Sequence, residues 1–237
     1  MALQGIRNCV KNNVRVGLRF TINKYNFRDI AGIFDLIAGE GIERACFYHL
    51  VYSGRGASMA STDLSPSQAR KVMDLIFSRC RKLSAGSAVR SGAASNTEIL
   101  TVDNHADGVY LYLRLKQKDP RRAEAALSLL KVNGGNKSGI GIANIDHLGF
   151  VHADQFWGHY SFGNVRERRF SEIWMDESDP LLKSLRNRLP LLKGKCGRCN
   201  FKDLCGGNFR VRAEAAHQDT WQEDPACYLT EEEITSR

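Results

Sequence analysis

Cys196, Cys199, Cys205 and Cys227 fall in one stretch near the end of the sequence, spaced C-x2-C-x5-C-x21-C. Four thiolates at such spacings can close a tetrahedral shell around zinc or anchor a cubane iron–sulfur cluster. Zinc commonly takes two C-x2-C knuckles, or one knuckle and a histidine pair. Only Cys196-Gly-Arg-Cys199 is a knuckle here, and His217 alone lies between the last two cysteines. The irregular spacing favours a cluster and leaves zinc open. Cys9, Cys46 and Cys80 stand singly on segments read as helices and a strand, and are expected to be buried structural thiols.

Composition narrows the setting. The chain has 237 residues, 43% of them hydrophobic, enough for one large domain or two small ones with a true core. No apolar run reaches the roughly 18 residues that span a bilayer, and the first residues do not read as a signal peptide. The cytoplasm is the expected compartment, where clustered cysteines are metal ligands rather than disulfides. Seven cysteines, an odd count, also fit a disulfide framework poorly. The formal net charge of +8 favours an anionic partner. The basic residues are scattered and lack the interleaved aromatics of a nucleic-acid groove, so no nucleic acid is expected.

The elements that must position the cysteines read in sequence order. Ala2 to Asn13 reads as a helix, Val14 to Ile22 as a strand, and the helix after Asn26, capped by Asn26 with Asp29, ends near Gly39 and Gly41. Glu43 to Val51 is a second strand. Ser65-Pro66-Ser67-Gln68 combines an N-cap, a proline at the first helical position and a glutamine that reaches back, so it opens a helix running to about Leu83. This alternation predicts an α/β architecture with parallel strands. Two strands are too few for a stable parallel sheet, so residues 1–83 are expected to be the last part of a longer barrel or sheet. Residues 84–132 read as a linker and helical connection: a glycine- and serine-rich loop from Ser84 to Thr97, a strand at Glu98 to Val102, and helices at Ala106–Lys118 and Arg121–Lys131. Residues 133–237 form the third segment. In it Ile140–Ile145 and Phe150–His152 flank an Asp-His-Leu-Gly turn as a β-hairpin, followed by short helices at Phe170–Met175 and Leu181–Leu189 and then the cysteine tail.

The tail CGRCNFKDLCGGN, with a distant cysteine in DPACYL, resembles the SPASM domain that follows the barrel of many radical SAM enzymes. IDHLGFVHADQFW and FGNVRERRFSEIW resemble the first part of that domain, and VRVGLRFTINKYN and ACFYHLVYSGRG resemble the last two barrel strands. In detail the likeness is closest to the branch of the family that makes heme d1.

The resemblance implies an α/β fold: the C-terminal part of a partial (β/α)6 radical SAM barrel, followed by a small SPASM-type iron–sulfur domain. It implies one auxiliary [4Fe–4S] cluster on Cys196, Cys199, Cys205 and Cys227. The family's second auxiliary cluster needs cysteines where this chain has Asp154 and Phe209, and a third upstream, where there is none between 81 and 195. The C-x3-C-x2-C loop that binds the catalytic [4Fe–4S] cluster and S-adenosylmethionine is also absent. The chain is therefore expected to be the C-terminal portion of such an enzyme and inactive alone, with a polypeptide supplying the missing barrel half and an electron donor protein as partners. The implied substrate is an anionic tetrapyrrole, didecarboxysiroheme, losing propionate groups on the way to heme d1. Another tetrapyrrole or peptide-modifying pathway, or a stand-alone zinc-binding module, are the alternatives. Arg19 on the first strand and Arg55 after the second are candidates to meet cofactor or substrate, because barrel sites lie at C-terminal strand ends and Arg pairs with carboxylates. His152, Asp154 and His159, in a polar and aromatic patch with Trp157 and Tyr160, are candidates for tetrapyrrole contact or proton transfer.

Overall fold

The structure, a computed structural model, describes residues 1–87 and 97–236, so most of the stretch read as a loop between Ser84 and Thr97 lies outside the described residues. The chain divides into two compact units, Met1–Leu50 with Ser61–Asn104, and Val51–Ala60 with His105–Arg237.

The first unit is built on three parallel strands in the order β1 (Gly17–Thr21), β2 (Arg44–Tyr48), β3 (Glu98–Val102). Arg19 stands in register with Cys46, and Cys46 with Leu100. Helix α1 (Ala2–Lys11) has no buried residue. Helices α2 (Ile30–Gly39) and α3 (Pro66–Ser87) pack together and bury Ile30, Phe34, Ile37, Val72, Met73 and Ile76 with Ala45 and Phe47 of β2. Phe34 stacks on Phe47 at 5.2 Å. Ser65 caps α3 as expected: its hydroxyl accepts from Gln68 N, and its own amide donates to the Gln68 side chain at 2.9 Å. Asn26 does something else. A 3-10 turn, Phe27–Asp29, precedes α2, and the Asn26 side chain accepts from Asn23 N and donates to Thr21 O, so it locks the end of β1 rather than capping a helix.

The second unit is mostly helical. Helices α4 (Ala106–Lys118) and α5 (Pro120–Asn133) form an antiparallel pair, joined where Asp119 accepts from Arg122 N and closed by Gly134 in the left-handed region. They belong to this unit because α4 buries Ala106, Asp107, Val109, Tyr110 and Leu113 and both helices pack on the cysteine segment. Residues 105–132 thus group with the residues after them, whereas the change of sequence texture comes near 132. The hairpin is shorter than its sequence suggests: β4 (Asn144–Ile145) pairs antiparallel with β5 (Val151–His152). Residues 138–142 instead curl through a turn in which Ile140, Gly141 and Ile142 all donate to Lys137 O. Short helices follow: α6 (Phe170–Trp174), α7 (Pro180–Arg186), α8 (Gly194–Arg198), α9 (Lys202–Cys205), α10 (Arg210–His217) and α11 (Glu231–Thr235). Val51, Ala153, Trp157, Leu185, Phe209 and Val211 form a core cluster. Among the described residues no helix is long and apolar enough to cross a membrane.

Candidate metal centre

Cys196 sits within α8, Cys199 just beyond it, Cys205 at the end of α9, and Cys227 in the loop before α11. All four line one pocket, walled by Ala106, Val109, Phe201, Leu229 and Ile234 with Lys195 and Asn208. The local backbone is shaped by Gly206, Gly207 and Asn208, three successive residues with positive φ, which only glycine and asparagine adopt at low cost. That curl turns the Gly207 amide onto Cys205. Gly135 is needed for closeness: a β-carbon there would overlap the Cys205 carbonyl group.

Each sulfur faces a backbone amide. Phe201 N–H donates to Cys199 Sγ at 3.4 Å, and the amides of Gly207, Leu229 and Asp224 serve Cys205, Cys227 and Cys196. Three of these four donors lie two residues after their cysteine, so the chain wraps Cys199, Cys205 and Cys227 the same way. Burial pushes all four thiols above their ordinary range, Cys227 to about 12. Cys205 goes highest, because on top of its burial it meets the other three sulfurs as like charges. Lys195 and Arg210 pull the other way. Lys195 Nζ bonds the carbonyls of Cys227 and Leu229, and Arg210 Nη2 reaches Cys196 Sγ at 3.8 Å.

Amide donors and flanking cations suit thiolates, which accept and carry negative charge, better than neutral thiols. Among the described residues no group of three or more His, Cys, Asp or Glu is gathered tightly enough for a single metal ion. A four-thiolate zinc ion would hold its sulfurs about 3.8 Å apart, given Zn–S of about 2.3 Å.

A second layer holds the loops in place. Arg212 and Asp224 form an ion pair with both side chains fully buried: Nε donates to Oδ1 at 2.7 Å and Nη2 to Oδ2 at 2.9 Å. Asp224 also accepts from Phe209 N and Ala226 N, each at 2.9 Å, which ties α10 to the loop that carries Cys227. Burial alone would raise the Asp224 carboxyl; Arg212, Arg210 and the Ala226 amide together outweigh it and hold it below the usual range. Tyr228, buried beside Cys227, donates to Asp107 of α4 at 2.6 Å. None of Arg210, Arg212, Asp224, Tyr228 or Asp107 stands out in the sequence. Charged residues at the buried positions of α10 are the one visible signal, and they look like an ordinary solvated helix face until their partners are known.

His105, at the start of α4, stacks on Phe209 at 5.8 Å. Burial lowers its pKa from 6.5 to about 4. A folded value below the unfolded one means that the stabilisation is complete above pH about 6.5 and is lost as pH falls towards about 4, at most about 3 kcal/mol. The thermal midpoint of the metal-free chain should therefore fall between pH about 7 and about 4.5. His105→Phe, which keeps the ring against Phe209, should flatten that slope; an unchanged slope would show that His105 does not drive it.

The other sequence candidates do not line the cysteine pocket. Arg19 projects from the sheet face opposite α2 and α3, over the Tyr48 ring at 5.2 Å, in an open concavity shared with Cys46, Leu100 and Val102. Arg55 is exposed in the 3-10 segment Gly54–Thr62. His152 is buried, with Nδ1 at 2.7 Å from Tyr160 O and Nε2 at 3.4 Å from Asp146. His159 is exposed, paired with Glu214 at 2.8 Å and stacked on Trp157. Asp154 is buried, accepting from Ser138 Oγ and Phe156 N, and burial raises its pKa. Trp157 and Phe209 are core. The three isolated cysteines are half-buried rather than buried, and Cys46 faces the open side of the sheet.

No family model matches the chain. It is 56% identical over 236 residues to Fe-coproporphyrin III synthase of Methanosarcina barkeri, covering 98% of this chain and 57% of that protein. It is 41% identical over 230 residues to pre-heme d1 synthase of Dinoroseobacter shibae, covering 97% and 55%. An AdoMet-dependent heme synthase of M. barkeri is 27% identical over 231 residues, covering 95% and 59%. The chain thus spans a little over half the length of the relatives it matches, and these relatives are enzymes. Among solved structures, hexahistidine-tagged anSMEcpe with bound AdoMet shares the fold, with a TM-score of 0.58 over 94% of this chain and 53% of that one at 13% identity.

Proposed function

We infer that this chain belongs to the radical SAM enzymes of tetrapyrrole biosynthesis and carries their auxiliary iron–sulfur site. The observation that supports this best is the single pocket lined by Cys196, Cys199, Cys205 and Cys227, in a chain 56% identical to a synthase of an iron porphyrin. In this reading the four cysteines ligate one [4Fe–4S] cluster. Asp154 and Phe209, where a second cluster would need ligands, are committed to a hydrogen-bonded network and to the apolar core.

When bound, the cluster would supply one-electron capacity. This chain's residues do the rest. The amides of Phe201, Gly207, Leu229 and Asp224 orient the sulfurs. Lys195 and Arg210 balance negative charge, and Val109, Phe201, Leu229 and Ile234 keep water from the site. Four cysteine ligands leave no vacant iron, so electron transfer fits better than substrate binding. The seven cysteines include no C-x3-C-x2-C loop, so we place the S-adenosylmethionine cluster on another part of the intact enzyme.

The substrate class is an iron tetrapyrrole bearing several carboxylates, which Arg19 and Arg55 have the chemistry to meet. Two product readings remain, a heme d1 precursor and Fe-coproporphyrin III. The higher identity, 56% against 41%, favours Fe-coproporphyrin III. The intact enzyme, given S-adenosylmethionine, a reductant and such a tetrapyrrole, should release 5′-deoxyadenosine and a product with fewer carboxyl groups by mass spectrometry. Formation of 5′-deoxyadenosine with peptides and with no tetrapyrrole would overturn the reading.

A further inference from the structure

Arg210 opens α10 and is 1% exposed. Its guanidinium joins three segments that carry or flank the cysteines. Nη2 donates to Gly207 O, two residues after Cys205, and reaches Cys196 Sγ at 3.8 Å. Nη1 donates to Thr220 O at 3.1 Å and Gln222 O at 2.5 Å, on the loop leading to Cys227. Nε is buried with no hydrogen-bond partner.

This is a costly arrangement for a permanent cation. Removing a guanidinium from water is unfavourable by several kcal/mol unless an anion compensates. Its direct partners are three neutral carbonyls and one sulfur. Asp224, whose charge it feels, is already spanned by both arms of Arg212. Four neutral thiols cannot balance it. A cluster held by four thiolates can, because it bears net negative charge that grows when it accepts an electron. A fixed cation against one of its sulfurs therefore stabilises the reduced form more than the oxidised form.

We propose that Arg210 is a positioning residue that sets the reduction potential of the cluster on Cys196, Cys199, Cys205 and Cys227, tying the ligand loops together and laying a buried positive charge on Cys196 Sγ. The proposal rests on the cluster reading above. The couple concerned is one electron, delivered to the cluster by an external donor.

The test uses the anaerobically reconstituted chain and its Arg210→Met and Arg210→Lys variants, with iron counted first and the midpoint then measured by dithionite titration followed by electron paramagnetic resonance. Arg210→Met, with the parent's iron content, should titrate at a more negative potential. Arg210→Lys keeps the charge and should keep the parent midpoint, while melting at a lower temperature because a single nitrogen cannot take the places of both Nη1 and Nη2. A fully loaded Arg210→Met with the parent midpoint overturns the proposal, as does Arg210→Lys shifted as far as Arg210→Met. If Arg210→Met takes up no iron, Arg210→Lys decides: the parent midpoint supports the charge role, and a shifted midpoint or failure to load overturns it. A parent chain that binds no iron overturns the cluster reading itself, before Arg210 is in question.

Discussion

Replacing Cys227 by alanine should strip the reconstituted chain of most of its iron, from about four per chain to about one or fewer, with a matching loss of visible charge-transfer absorption. Cys227 is the only one of the four thiols outside the segment 196–205, so it alone fastens the loop before α11 to the pocket. Without it that loop loses its bond to the metal and is held by the hydrogen bonds of Asp224, Tyr228, Lys195 and Arg210 alone among those described. The remaining three sulfurs would leave one iron open to solvent and oxygen. Cys80→Ala is the control: that thiol lies on α3 in the other unit, where burial raises its pKa to about 11, and iron content should not change. Equal iron in Cys227→Ala and parent would remove Cys227 from the ligand set.

The second large effect concerns the ion pair beneath the site. Asp224→Asn should cost about 3–5 kcal/mol in urea unfolding of the metal-free chain, because it breaks the buried charge pair with Arg212 from one side. The pair is fully buried and bidentate, so solvent does not dilute its loss. Adding Arg212→Met to Asp224→Asn removes the other charge of the buried pair, so the double variant should be more stable than Asp224→Asn alone. If both variants unfold alike, the pair's contribution lies in its hydrogen bonds to Phe209 N and Ala226 N rather than in its charge.

Much of this molecule is legible in its sequence where a local rule decides. The strand Glu98–Val102 and the helix Ala106–Lys118 fall on their expected residues, because β-branched runs and helical periodicity act over a few neighbours. The Ser65–Gln68 cap is likewise local. The cysteine spacing pointed to one shared site, and the four thiols line one pocket. What the sequence hid depends on which of several partners a side chain or carbonyl takes. Asn26 has the residue type of a cap, yet its side chain serves Thr21. The apolar run Ile140–Ile145 looks like a strand, but the Lys137 carbonyl gathers it into a turn and leaves Ile140 and Ile142 exposed. Arg210 and Arg212 are charged residues at fully buried positions, and their partners include carbonyls and a carboxylate 10–12 residues downstream. The place of α4 and α5 beside the cysteines follows from packing that no local texture reveals.

The central claim is that Cys196, Cys199, Cys205 and Cys227 hold one polynuclear iron–sulfur cluster. Metal analysis with Mössbauer spectroscopy of the anaerobically reconstituted chain tests it most directly. One [4Fe–4S] cluster predicts about four irons and about four inorganic sulfides per chain, with a single cubane spectrum. One zinc per chain with no sulfide, or about eight irons, would contradict it.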